Sequence, residues 1–160
     1  MVKHVQEGLF GGLEIVDDKP PGKQIEKLRL LITVKAAPNP STHHGETVCI
    51  AGISADSSES PKWLRLYPVN FRSLVGSSQF RKYDVVEVDA VPATNDTRVE
   101  SWKPQLHTLK TIKNVKTWKA RRAYLDVVRQ RSMCELARDA AKVQSAPSLA
   151  LIDVMSLESF

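Results

Sequence analysis

The stretch Trp63-Leu64-Arg65-Leu66-Tyr67-Pro68-Val69-Asn70-Phe71-Arg72 holds the residue types best suited to act on a ligand. Side chains alternate across an extended strand, so Trp63, Arg65 and Tyr67 share one face and Leu64 and Leu66 the other. An aromatic, arginine, aromatic row suits nucleic acid, because every base offers a π-face for stacking and a guanidinium grips phosphate in a two-pronged fork. The same row has a structural reading, in which Trp63 and Tyr67 cover the open end of a small barrel and Arg65 answers Glu87 or Glu100 across the sheet. Arg72 adds a cation just past this strand. Arg81-Lys82-Tyr83, and Arg98 with Trp102-Lys103, extend the surface if their strands are neighbours and are scattered solvent-facing charges if they are not.

A second source of chemistry is charge. The chain carries a net +5, yet residues 103–142 hold eleven Lys/Arg against three Asp/Glu, a local +8, while the flanking segments are slightly acidic. Such a concentration attracts polyanions in a salt-dependent way; the plainer reading is a solvated basic surface. Within it Lys119, Arg122 and Arg129 gather on one half of a helix, with Asp126 among them.

Other constellations carry less. His43-His44-Gly45-Glu46 reads as a loop turn, since adjacent histidines on a strand point to opposite faces and seldom chelate one ion. Glu87 and Asp89 share a strand face, as a two-metal nuclease requires, but no lysine or third carboxylate stands at a matching spacing. The sequence has no glycine-rich phosphate loop, no Gly-x-Ser-x-Gly elbow and no His-Glu-x-x-His helix, so it points to no cofactor and no metal. Cys49 and Cys134 lack zinc or redox company and read as buried thiols.

These residues need elements to position them. The 160 residues suffice for one core, and 42% hydrophobic with 26% charged residues is an ordinary globular balance. No run approaches the roughly 18 apolar residues of a membrane span, and the N-terminus lacks a secretory apolar core, which makes the cytoplasm the expected compartment. Residues 1–27 read as a flexible leader with one short strand at Leu13–Val16, followed by a single α+β domain over 28–160. Strands are expected at Leu28–Lys35, Glu46–Ile53, Lys62–Pro68, Asp84–Ala90 and Arg98–Trp102, with Ser148–Val154 returning as another. Leu106–Val115 fits neither period. Thr117 caps a helix through about Arg129, with Trp118, Tyr124, Leu125, Val127 and Val128 on its apolar half. Ser132-x-x-Glu135 has the spacing of a capping box for a second helix.

Several stretches taken together resemble an uncharacterised family of bacterial hypothetical proteins: Ile32–Lys35, Gly45–Ile53, Trp63–Arg72, Lys82–Asp84, Arg98–Trp102, Ser132–Leu136 and Ser148–Ile152. The resemblance runs from about Leu28 to the C-terminus and implies a coherent domain, with no activity attached. The expected fold is a small twisted, partly closed β-barrel, like oligonucleotide-binding or pseudouridine-synthase-associated modules, with two C-terminal helices. The expected function is a nucleic-acid-binding module with DNA or RNA as partner. The alternatives are a subunit of a nuclease or other nucleic-acid-processing enzyme, and a subunit that docks on a larger protein.

Overall fold

In the computed structural model, residues 5–7, 13–15, 24–36, 39–41, 45–56, 60–128, 132–142 and 147–152 are described. Among the described residues nine strands follow in chain order: β1 (Val5–Glu7), β2 (Leu13–Ile15), β3 (Glu26–Lys35), β4 (Asn39–Ser41), β5 (Gly45–Ser54), β6 (Trp63–Val69), β7 (Asp84–Pro92), β8 (Ser101–Pro104) and β9 (Lys110–Asn114). Helices α1 (Trp118–Val128) and α2 (Met133–Lys142) come last. β1 and β2 pair with each other as an antiparallel hairpin, so the expected strand near Leu13 gains a partner that periodicity did not announce.

The β-branched, apolar run of β3 is hydrogen-bonded along both edges, antiparallel to β5 on one side and to β7 on the other. β5 continues antiparallel to β6, β6 pairs parallel with β8, and β8 pairs antiparallel with β7. The ring β3–β5–β6–β8–β7 therefore closes on itself as a five-stranded mixed barrel, fully closed where the sequence suggests partial closure. β9 is a sixth strand on the free half of the β7 edge, which bonds β9 through Asp84–Glu87 and β8 through Ala90–Pro92.

Alternation fills the interior. Leu30, Ile32, Ile50, Leu64, Leu66, Val86 and Val88 are buried together, with Trp102 and Leu109. Burying each large aliphatic side chain contributes about 1.5–3 kcal/mol. Gly52 faces Ile32 across the β3–β5 pair, and a Cβ there would collide with the Leu31 carbonyl, so only glycine lets the two backbones approach so closely. A second cluster lies outside the barrel wall, where Leu31, Val85 and Val115 pack with Tyr83 and with Tyr124 of α1.

Three expectations change. Arg98 to Glu100 form a turn and the strand begins only at Ser101, so Arg98, Glu100 and Trp102 do not share a strand face. Ser148 to Ile152 make an isolated bridge at Leu151 and no strand among the described residues; Ser148 is anchored instead through Glu100, which takes hydrogen bonds that a ladder would otherwise supply. Leu106–Val115 resolves into a 3-10 turn at Leu106–Thr108 followed by β9. No helix is long and apolar enough to cross a membrane among the described residues.

Candidate nucleic-acid interface

Arg65 sits at the centre of β6, on the face opposite the buried Leu64 and Leu66, and is half-buried itself. Its Nη1–H donates to Asp96 Oδ2 at 2.6 Å and to Ser101 Oγ at 3.2 Å, and its Nε–H to Cys49 Sγ at 3.0 Å. Cys49 can take that bond because it lies in the register irregularity of β5 against β6. Asp96 comes from the loop between β7 and β8. It also accepts from Arg98 Nε and Nη2, both at 2.8 Å, from the Arg98 backbone N–H at 3.2 Å and from the Ser101 hydroxyl at 2.7 Å. Hydrogen bonding to Arg98 above all, with help from Ser101, holds the Asp96 carboxyl far below the usual carboxylate range, and the same contact raises Arg98.

Two guanidiniums thus share one carboxylate. The cross-strand partner suggested for Arg65 was Glu87 or Glu100; the structure supplies Asp96, a loop residue that strand alternation cannot point to. Glu87 answers β3 instead, accepting from Arg29 Nη2 at 2.7 Å, and Asp89 accepts from Lys27 Nζ at 3.1 Å. These pairs stand directly opposite in the β3–β7 register, so Glu87 and Asp89 form an ion-pair ladder with β3. Glu100 is only 3% exposed. Its Oε1 accepts from the Ser148 backbone N–H at 2.8 Å and hydroxyl at 2.7 Å, while Oε2 is buried with no hydrogen-bond partner among the described residues.

Of the remaining aromatic row, Tyr67 is 39% exposed, with the Arg65 guanidinium 5.8 Å from its ring centroid, and Trp63 is half-buried. Trp102 lies in the barrel core at 3% exposure and cannot serve a surface. β8 is held in the barrel wall between β6 and β7, and with Ser101 turned to Arg65 and Asp96 on the outer face, alternation turns the Trp102 indole inside. Arg72, Arg81 and Lys82 are exposed. Lys119 and Arg122 are exposed on α1, and Arg129 falls outside the described residues, as do His43 and His44.

A second grouping forms around Tyr83. Asp84 Oδ2 accepts the Arg81 backbone N–H at 2.7 Å and Asn114 donates to Asp84 Oδ1, which shapes the turn ahead of β7. Tyr83 holds φ at 70°, a left-handed conformation unusual for a bulky residue. Two backbone bonds over-determine it: its N–H donates to Ile32 O at 2.7 Å and its carbonyl accepts from Val115 N–H at 2.9 Å. The ring is thereby fixed beneath α1. Arg121 stacks on it with Cζ 3.9 Å from the centroid, its Nε–H donating to Val115 O at 2.8 Å. Trp118 meets Tyr83 edge to face at 5.8 Å, Arg121 Cζ lies 5.2 Å from the Trp118 ring, and Lys82 Nζ lies 5.2 Å from the Tyr83 ring.

Sequence reasoning singled out Arg81-Lys82-Tyr83, Lys119 and Arg122 as candidate surface residues and did not single out Arg121 or Trp118. It assigned Trp118 and Val127 to the buried half of the helix by residue type. The half-buried stripe is Arg121, Tyr124, Leu125 and Val128, at helical spacing, and Trp118 is 62% exposed at its edge. An arginine takes the innermost place of the first turn because its stem covers apolar surface while its head rests on Tyr83. No local pattern pairs Tyr83 with Arg121; their contact depends on the turn ahead of β7 meeting α1. Cys134, expected to be buried, is exposed, because α2 buries none of its residues.

The architecture is a closed mixed barrel bearing an exposed cationic and aromatic helix edge. The chain belongs to the family described as Domain of unknown function (DUF8758), matched over residues 26–127. That span takes in the barrel, β9 and nearly all of α1, so both groupings lie inside the family domain. No curated protein and no solved structure matches the chain.

Proposed function

We propose that the domain binds nucleic acid through the Tyr83–Arg121–Trp118 grouping and the cations around it. The observation that carries this is an indole left 62% exposed at the edge of a helix whose outward side presents Lys119 and Arg122. An aromatic ring backed by a guanidinium, with lysines beside it, combines stacking with phosphate attraction. The barrel supports the same reading by analogy of architecture alone, since five-stranded oligonucleotide-binding barrels serve as platforms for nucleic acid. Under this reading the protein acts inside the cell, within a larger bacterial system.

The face of β6 contributes less than its composition suggests. Arg65 and Arg98 converge on Asp96, so phosphate would have to compete with a carboxylate already in place. Tyr67 and Arg72 remain as flanking contacts.

Protein docking is favoured by one specific observation. Neither helix buries a residue among the described ones; Val127 is exposed on the same strip of α1 as Trp118, and Met133 is exposed at the start of α2. Electrophoretic titration against single-stranded and duplex DNA and RNA at two salt concentrations separates the readings. Nucleic-acid binding predicts retardation that weakens steeply with salt and is abolished by Lys119→Glu with Arg122→Glu. Docking predicts no retardation at either salt.

A further inference from the structure

We infer that the ligand at α1 is single-stranded, with an unpaired base lying on Trp118; this rests on the proposed nucleic-acid reading and narrows it. In a duplex the two faces of each internal base are covered by its neighbours, so an exposed indole finds a free π-face only on an unpaired base or at a helix end.

The indole is prepared for such a contact. It occupies the first position of α1, behind the Thr117 hydroxyl that accepts the Ala120 N–H at 3.3 Å; Tyr83 meets it edge to face, the Arg121 guanidinium lies 5.2 Å from its ring, and the residue stays 62% exposed. Tyr83 in turn is locked by its two backbone bonds and Arg121 by the Val115 carbonyl, so the platform loses little freedom when a base arrives.

The rest of α1 argues against a duplex groove reader. A helix that reads base edges lines one face with polar side chains of matching reach. The exposed strip along α1 is formed by Trp118, Lys119, Arg122, Ala123, Asp126 and Val127, apolar at two of the four positions beyond the first turn's Trp118 and Lys119. Arg122 is moreover paired with Asp126 at 3.3 Å, which sets a carboxylate on the same strip of the helix. One stacked base with phosphates near Lys119 and Lys82 fits this surface better than a double helix does.

The test uses the full chain and four labelled probes of equal length, followed by fluorescence anisotropy at low salt: oligothymidylate, oligouridylate, an abasic strand with the same phosphates, and a blunt duplex. The inference expects at least one base-bearing strand to bind about tenfold more tightly than the abasic strand. It also expects Trp118→Leu to lower that affinity to the abasic level, and Trp118→Phe to retain part of the advantage. Which of the two base-bearing strands binds better distinguishes DNA from RNA. Equal affinity for abasic and base-bearing strands, or tighter binding of the duplex, overturns the single-strand inference and leaves polyanion binding standing. Absence of binding to all four probes overturns the nucleic-acid reading itself.

Discussion

The outer face of β6 and the exposed edge of α1 hold the same kinds of side chain, arginine beside aromatic rings, in opposite states. On β6, Arg65 sits in a half-buried network and meets Asp96, which Arg98 shares. On α1, Arg121 meets a tyrosine ring and a carbonyl, neither of which neutralises its charge. A part-buried carboxylate shared by two guanidiniums turns them into structural members, whereas a π-face and a backbone oxygen fix an arginine's position and leave its field available. Residue type alone did not separate the two regions; the partner did.

The comparison can be broken first through the barrel wall that supports β6. Leu66→Ala, at a fully buried position, should cost about 2–5 kcal/mol of stability in chemical denaturation. A loss below about 1 kcal/mol would mean that the barrel interior does not hold the strand.

Next in size is Asp96→Asn, which leaves Arg65 and Arg98 without their common counter-charge. It should cost on the order of 2–3 kcal/mol at neutral pH. The pH dependence has a definite sign. Asp96 has a folded pKa below its unfolded one, so its contribution is present above the unfolded value near 4 and is lost as pH falls toward the folded value. The gap between wild-type and Asp96→Asn melting temperatures should therefore shrink on acidification below about pH 4. A gap that stays constant from pH 7 to pH 2 would remove Asp96 from the account.

At α1 the expected effect lies in binding. Lys119→Gln with Arg122→Gln should flatten the plot of log affinity against log salt by about 1.4 for a single strand, if both cations sit on phosphates. An unchanged slope would move the phosphate track elsewhere. The smallest effect is expected from Tyr67→Ala, whose ring is partly exposed on β6: about 0.5 kcal/mol in stability and little in affinity.

Much of the frame was legible in the sequence, for identifiable reasons. Alternation over Lys62–Pro68 put Leu64 and Leu66 on the core face, and alternation over Asp84–Ala90 put Val86 and Val88 on one common face; all four are buried in the core. The capping box is present as spaced, with Ser132 N–H donating to Glu135 Oε2 at 3.1 Å and Glu135 N–H to Ser132 Oγ at 3.2 Å. What was not legible depends on distant contacts. Asp96 sits in an aperiodic loop, and its meeting with Arg65 requires the parallel β6–β8 pair that no local pattern encodes. Trp118 was assigned inward by its hydrophobicity, yet the fixed ring of Tyr83 gives that place to Arg121. The register shift in β3 between Ile32 and Val34 likewise sends Val34 outward, away from the buried Leu30 and Ile32.

The most direct test of the distinction between the two regions is Arg65→Ala, measured twice on the same protein: a thermal melt, and one titration with a single-stranded oligonucleotide that binds the wild type. If Arg65 belongs to the Asp96 network, the melting temperature falls by several degrees and the affinity is retained. A melting temperature that holds while affinity drops by tenfold or more would make β6 the binding face and contradict the account.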